Sequence, residues 1–209
     1  MKTPKILFAY LLVGFIELLC PYFLPGLRFV TKPLLMILLA LYVYQFGKFP
    51  ARALLLVTLL FAWLGDVFLL VPGNNPLFFQ LGLASFLMMQ IAYIRQFIGL
   101  GALKWSWFLV PVLLYVIGFL TYLYPVLPAA LVGPVVVYAL ALGSMLYFAF
   151  QLRVSALTLG AVLFVLSDSL LAFAKFKFEY PWNSFAVMST YILAQLLLIQ
   201  ALCKLHAQR

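Results

Sequence analysis

Residues 156–174 read ALTLGAVLFVLSDSLLAFA, an apolar run broken by one acid, Asp168, set between Ser167 and Ser169. A helix needs about 20 apolar residues to cross about 30 Å of hydrocarbon, and this run has that length. A carboxylate within such a helix costs about 2.5–3.5 kcal/mol on insertion scales, so an acid kept there is by default a functional candidate.

The same pattern recurs on both sides of this stretch. Apolar runs lie near 6–24, 29–46, 52–71, 77–98, 106–123, 129–150, 156–174 and 182–203, eight in all. Pro and Gly mark the joints between them: Pro25-Gly26, Gly47 with Pro50, Pro72-Gly73-Asn74-Asn75-Pro76, Pro125 with Pro128, and Pro181. Connections this short make consecutive helices antiparallel neighbours. The expected fold is all-α, a single integral membrane domain over residues 1–209 built as a polytopic bundle of eight transmembrane helices.

Composition excludes a soluble globule. The 209 residues are 68% hydrophobic and 8% charged, and the mean hydropathy of +1.21 leaves too little polar surface to face water. The net charge of +9 would suggest nucleic acid in a soluble chain, but here Lys and Arg fall between the apolar runs, where they set orientation. No nucleic-acid partner is expected, and the bilayer is the chain's partner. Lys2, Lys5, Lys48, Arg52, Arg95, Lys104, Arg153, Lys204 and Arg209 fall on one side, against Arg28, Lys32, Lys175 and Lys177 on the other. That bias predicts both termini in the cytoplasm of a bacterial cytoplasmic membrane.

The first apolar run is too long for the core of a signal peptide. Leu19 and Pro21 flank Cys20 where a lipoprotein cleavage site wants small residues, so the first helix is expected to be kept. Cys20 and Cys203 fall near opposite faces and cannot bond to each other. The single histidine, His206, lies in the C-terminal tail, and without a second His or a Cys cluster no metal or cofactor is expected.

Under this topology Glu17, Asp66 and Asp168 each lie five to seven residues from the outer end of their run, about 8–10 Å deep at the helical rise. Lys32, beside Pro33 in the first turn of the second run, is the one cation expected within reach of any of them. Lys32 and an Asp can form a plain structural ion pair. Like charges gathered at one level instead suggest a site that holds one neutral acid beside one ionised carboxylate. Gly82, Phe86, Gln90, Tyr93 and Phe97 share one helix face, and Tyr191 with Gln195 is an i, i+4 pair, so both faces are expected to look inward. For Gln90 and Gln195 that reading leaves interhelical hydrogen bonding and ligand contact both open. Ser167 and Ser169 have no histidine or lysine base, which argues against a nucleophilic serine.

Lys32-Pro33-Leu34, Leu64-Gly65-Asp66-Val67-Phe68-Leu69, the Gly82, Phe86 and Tyr93 face, Tyr138, the block from Gly160 through Ser167-Asp168-Ser169 to Ala172, and Tyr191 with Gln195 together resemble the YhhN family, from about residue 30 to the C-terminus. One place departs from that pattern: members commonly carry a histidine three residues before the tyrosine matching Tyr93, and here it is Gln90. Gln can hydrogen-bond but cannot titrate. The resemblance implies hydrolysis of the vinyl ether bond of a lysoplasmalogen or related lysolipid, with release of a fatty aldehyde. It implies Asp66 and Asp168 as the acid–base pair, since this chemistry needs one carboxylic acid and one carboxylate. Lys32, Gln90, Tyr93, Tyr138, Tyr191 and Gln195 are then the substrate-binding candidates. Two other classes remain open on the residues alone: a lipid, solute or proton-coupled transporter, whose buried acids would exchange protons, and a non-catalytic membrane scaffold. No internal repeat speaks for the carrier. The number of subunits does not follow from the sequence.

Overall fold

The computed structural model describes residues 3–71, 76–178 and 180–208. Lys2 and Arg209, the 72–75 joint that includes Asn74, and the fourth acid, Glu179, lie outside the described residues. The chain forms α1 (Thr3–Phe23), α2 (Arg28–Phe46), α3 (Arg52–Leu70), α4 (Pro76–Gly99), α5 (Leu109–Leu123), α6 (Ala129–Gln151), α7 (Ser155–Phe176) and α8 (Asn183–Ala207), with no strand among the described residues. All eight helices, α5 with the 3-10 turn that follows it, are long and apolar enough to cross a membrane. The chain is a multi-pass membrane protein.

Helix α1 starts at Thr3 rather than near 6, and α8 runs on to Ala207, so that His206, expected in the C-terminal tail, lies buried in that helix; two further boundaries differ from the sequence reading. Helix α5 begins at Leu109 rather than near 106, because Trp105 and Trp107 stay exposed and pack against each other in the joint, where amphipathic rings suit a membrane–water interface. Helix α2 begins at Arg28, which places Pro33 in its second turn and deprives the Phe29 carbonyl of its helical partner. The outer surface of the bundle is apolar, with Phe8, Phe15, Leu60, Leu114 and Ile117 all exposed, as a lipid-facing surface requires. The polar groups turn inward. The predicted α4 face is buried throughout: Gly82, Phe86, Gln90, Tyr93 and Phe97 all point into the bundle.

Close helix pairs frame the interior, and small residues make them possible. A Cβ at Gly65 on α3 would meet the Phe86 ring of α4 at 2.8 Å, and one at Gly82 on α4 would meet Leu69 of α3 at 2.8 Å. At Gly160 on α7 a Cβ would lie 3.0 Å from Leu198 and 3.2 Å from the Ala194 carbonyl oxygen of α8. Without a hydrophobic force between helices in lipid, such backbone approach supplies the packing that holds a bundle together.

The joints sort into two ends. The Tyr22 hydroxyl of α1 donates to the Pro181 carbonyl at 3.0 Å, tying the end of α1 to the α7–α8 joint. At the other end Tyr147 of α6 donates to the Lys104 carbonyl at 2.9 Å, and His206 of α8 stacks on Phe49 of the α2–α3 joint.

Gly160→Val is expected to lower stability by about 1–3 kcal/mol, because the Ala194 backbone cannot yield as a side chain can; thermal unfolding in detergent at the wild-type temperature would contradict this packing. Cysteines placed at the exposed Lys104 and Tyr180 positions test orientation. Impermeant thiol reagents are expected to reach the first only from the cytoplasm and the second only from outside, and the reverse pattern would invert the charge-bias reading.

Candidate active site

Helix α2 supplies the first part of the site. Arg28, Thr31 and Lys32 stand at i, i+3 and i+4, one face of the helix. That face meets two carboxylates from neighbouring helices. The Arg28 Nε donates to Glu17 Oε1 at 3.1 Å, and Thr31 Oγ1 donates to Glu17 Oε2 at 2.5 Å. The Lys32 ammonium stands 3.4 Å from Asp66 Oδ1. Arg28 is thus a second cation in reach of an acid, where the sequence reading allowed only Lys32. Its long side chain reaches inward from the first turn of a helix that starts earlier than a loop charge would suggest.

Asp66 is 1% exposed, and its other oxygen, Oδ2, accepts a hydrogen bond from the Tyr191 hydroxyl of α8 at 2.8 Å. Lys32 is buried with it. One cation and one phenol therefore stabilise this group as a carboxylate in a place where a lone charge would be costly.

Asp168 has a different environment. Tyr138 of α6 donates to its Oδ2 at 2.5 Å, and no Lys or Arg lies within ion-pair distance of it among the described residues. The serines that flank it serve structure. Ser167 Oγ donates to the Val187 carbonyl of α8 at 3.0 Å; Ser169 Oγ donates to Val165 O at 2.6 Å and is hydrogen-bonded to the Tyr115 hydroxyl of α5. Adjacent residues on a helix point about 100° apart, so the Ser-Asp-Ser block ties α7 to α8 on one side and to α5 on the other. Asp168 faces the gap between.

Both aspartates line one polar cavity of about 280 Å³, together with Arg28, Lys32, Lys175 and Tyr191. Asp168 also lines a second cavity, apolar in its walls, formed by side chains of α3 to α7 that include Phe86, Phe119 and Leu142, with Tyr115, Tyr138 and Ser169 as its polar rim. Phe79, Phe86 and Leu171 belong to both. Asp168 marks the junction.

Of the predicted residues, Lys32, Asp66, Asp168, Tyr138 and Tyr191 converge on these two cavities. Glu17 lines neither, although it shares their depth. Gln90, Tyr93 and Gln195 also line neither. Tyr93 donates to Gln195 Oε1 at 2.6 Å, the Gln195 amide meets Met89 Sδ at 3.3 Å, and the fully buried Gln90 amide has no hydrogen-bond partner among the described residues. Sequence reasoning missed Arg28, Tyr115 and Lys175 as cavity residues. The i, i+3, i+4 spacing of Arg28, Thr31 and Lys32 was the available signal for the first, and Lys175 lies seven residues after Asp168, two turns along the same face. Tyr115 is one tyrosine among many in an apolar helix and carries no such mark.

Comparison with known proteins adds relatives to this geometry. The sequence profile of the YhhN family matches residues 27–202. The chain is 36% identical over 135 residues to lysoplasmalogenase TMEM86B of Mus musculus, covering 65% of this chain and 57% of that protein. It is 30% identical over 159 residues to lysoplasmalogenase TMEM86A of Bos taurus, covering 71% of this chain and 65% of that one, and 32% identical over 158 residues to lysoplasmalogenase TMEM86A of Homo sapiens, covering 71% and 64%. The chain thus spans less than two thirds of the length of these curated relatives. No solved structure matches it.

Removing the cation tests the Lys32–Asp66 pair. Lys32→Met should destabilise the fold by about 3–5 kcal/mol, since a buried carboxylate is left uncompensated, and Lys32→Met with Asp66→Asn should recover most of that loss. Unfolding of the single variant at the wild-type temperature would mean that the pair contributes nothing.

Proposed function

The chain belongs to the YhhN family, and from that premise we propose that it is a membrane-embedded hydrolase that cleaves the vinyl ether bond of a lysoplasmalogen or related lysolipid, releasing a fatty aldehyde. The observation that carries this reading is the position of Asp168 where a polar, cation-lined cavity meets an apolar one. A lysolipid is built in the same order. Its charged headgroup and glycerol suit the polar cavity, the apolar one of about 60 Å³ takes the first carbons of its single chain, and the vinyl ether at their boundary falls beside the carboxyl groups.

The reaction divides between the two aspartates. Asp168, with no cation beside it and its Oδ2 occupied by the Tyr138 hydroxyl, carries a proton on Oδ1 and delivers it to the alkene carbon remote from oxygen. The carbon bonded to oxygen becomes an oxocarbenium ion. Asp66, held ionised by Lys32 and Tyr191, stabilises that cation and takes a proton from the attacking water, which leaves a hemiacetal. Asp66 then returns its proton to the ether oxygen as the carbon–oxygen bond breaks, and Asp168 recovers one from the hemiacetal hydroxyl. Aldehyde and glycerol hydroxyl leave, and both carboxyl groups are restored. The division of labour parallels that of the two carboxylates in glycosidases. Tyr138 and Tyr191 act as positioning residues, each fixing one carboxyl group.

The test uses the purified full chain in detergent with a 1-alkenyl lysolipid and its saturated 1-alkyl analogue, reading aldehyde by mass spectrometry. Only the alkenyl lipid should be cleaved, and Asp66→Asn and Asp168→Asn should each lower kcat by about 10²-fold or more, the scale of a lost general acid or base. Tyr138→Phe should cost less, because Asp168 keeps its carboxyl group. Aldehyde release at the wild-type rate from either Asp→Asn variant would overturn the two-carboxylate mechanism, and equal cleavage of the saturated ether would overturn the vinyl ether chemistry itself.

A further inference from the structure

The apolar cavity is small, and its wall is thin in one place. A volume of about 60 Å³ gives room for about four to six groups the size of a water or a methylene. A hydrocarbon chain that crosses one leaflet, about 15 Å of hydrocarbon, overruns that space. The rest of such a chain has to leave between two helices, and α5 decides where. Its Tyr115, Val116 and Phe119 line the cavity. Adjacent residues on a helix point about 100° apart, so at the level of Tyr115 and Val116 the helix meets one neighbour on each side.

Toward α6 the approach is close. A Cβ at Gly143 would meet Val116 Cγ2 at 2.8 Å and Val112 Cγ1 at 3.3 Å, which leaves no room for a chain to pass. Toward α7 the contact is made by side chains. Phe119 and Tyr122 pack on Phe173 with ring centres 5.5 and 5.7 Å apart, and Lys177 Nζ stands 3.1 Å from the centre of the Tyr122 ring and donates to the Tyr122 carbonyl at 3.2 Å. These ties pin the seam near the Tyr22–Pro181 end of the bundle. Two turns farther from that end, the Tyr115 hydroxyl is hydrogen-bonded to Ser169 Oγ. Of the side chains that line the apolar cavity, Tyr115 alone is exposed, at 41%, whereas Val116 beside it is buried. One ring therefore separates the cavity from the lipid-facing surface. Ser169 Oγ also donates to the Val165 carbonyl at 2.6 Å, so it keeps a partner when Tyr115 leaves.

We propose that Tyr115 is the gate of a lateral opening between α5 and α7, through which the hydrocarbon chain of the substrate runs from the apolar cavity into the bilayer. The inference rests on the lysolipid reading above and adds the path of the chain. Protein holds only the first carbons beside Asp168, and the remainder lies in lipid. The motion is that of one side chain: the ring swings off Ser169 toward the surface it already touches, and the helices that carry the carboxyl groups stay in place. Shut, the same ring keeps the acyl chains of the bilayer out of the cavity.

Binding separates the gate from the chemistry. Two saturated 1-alkyl lysolipids with the same headgroup, one with a chain of about four carbons that the closed cavity holds and one with a chain of about 16, are bound to the purified full chain in neutral detergent. Opening a gate limits association, so Tyr115→Ala should speed association of the long lipid by at least about threefold and Tyr115→Trp should slow it by a similar factor. Tyr115→Phe, which keeps the ring and gives up the hydrogen bond, should act in the direction of Tyr115→Ala. The short lipid should associate at the wild-type rate with all three, which also shows that they fold. Leu114→Ala, on the lipid-facing side of the same helix, should change neither rate. A long lipid with a photoreactive diazirine near its chain end should label α5 and α7 and be displaced by unlabelled lipid. Equal shifts for both chain lengths, no shift in any Tyr115 variant, an equal effect of Leu114→Ala, or label confined to other helices would overturn the proposal. Gated binding of the long lipid without aldehyde from its 1-alkenyl counterpart would sink the hydrolase reading and leave the gate standing. Aldehyde release from a protein whose Tyr115 variants bind both lipids at the wild-type rate would do the reverse.

Discussion

A carboxyl group inside an apolar bundle must be given a cation, hydrogen-bond donors or a proton, and the end of the bundle that carries Arg28, Asp66 and Lys175 is arranged around that demand. Its three intramembrane acids meet it in three ways. Glu17 has an arginine on one oxygen and a threonine on the other. Asp66 has a lysine and a tyrosine. Asp168 has a tyrosine alone among the described residues. Compensation falls from the first to the third as access to a cavity rises. Glu17 is sealed, Asp66 lines the polar cavity, and Asp168 lines both cavities. The least compensated acid is the one placed where the two cavities meet.

Placing the acids this way uses much of the bundle. One face of α2 serves two carboxylates at once, because Arg28 and Thr31 turn to α1 and Lys32 turns to α3. The close α3–α4 contact at Gly65 and Gly82 seats Phe86, whose ring forms part of both cavity walls and leans on Tyr191. Ser167 and Ser169 brace α7 against its two neighbours on either side of Asp168. A shift of any of these helices would move a carboxyl group relative to its partner, and a site of this kind works only if the partners stay fixed.

Much of this was legible in the sequence. Helix number follows from the length of the apolar runs, and the bilayer sets that length so firmly that the reading and the structure differ by only a few residues at most ends. Carboxylates within those runs were conspicuous for the same reason. Periodicity, however, reports which face a residue takes and is silent on depth. Tyr191 and Gln195 share a face, one turn of about 5.4 Å apart; Tyr191 reaches Asp66, whereas Gln195 lies a layer deeper with Tyr93 and Met89. Arg28 was obscured by the opposite bias, since charge counting treats an arginine at a helix end as a marker of orientation. Tyr115 sits in an apolar helix without a polar neighbour in sequence, and only the fold brings it to Ser169.

The same layering bears on Gln90. Where relatives of this family commonly carry histidine, this chain has an amide that is fully buried, lines neither cavity and finds no hydrogen-bond partner among the described residues. An imidazole at that depth would stand behind the site. The polar groups forward of it are Tyr93, which donates to Gln195, and then Tyr191, one turn before Gln195 and in contact with Asp66. A ring at residue 90 lines neither cavity and so would not itself exchange protons with a lipid held in them. In the mechanism proposed, both proton transfers belong to Asp66 and Asp168, so exchanging histidine for glutamine at residue 90 removes no group from the reaction. It removes a charge that the interior would otherwise have to solvate, and a buried neutral amide asks less of an apolar bundle than an imidazolium would.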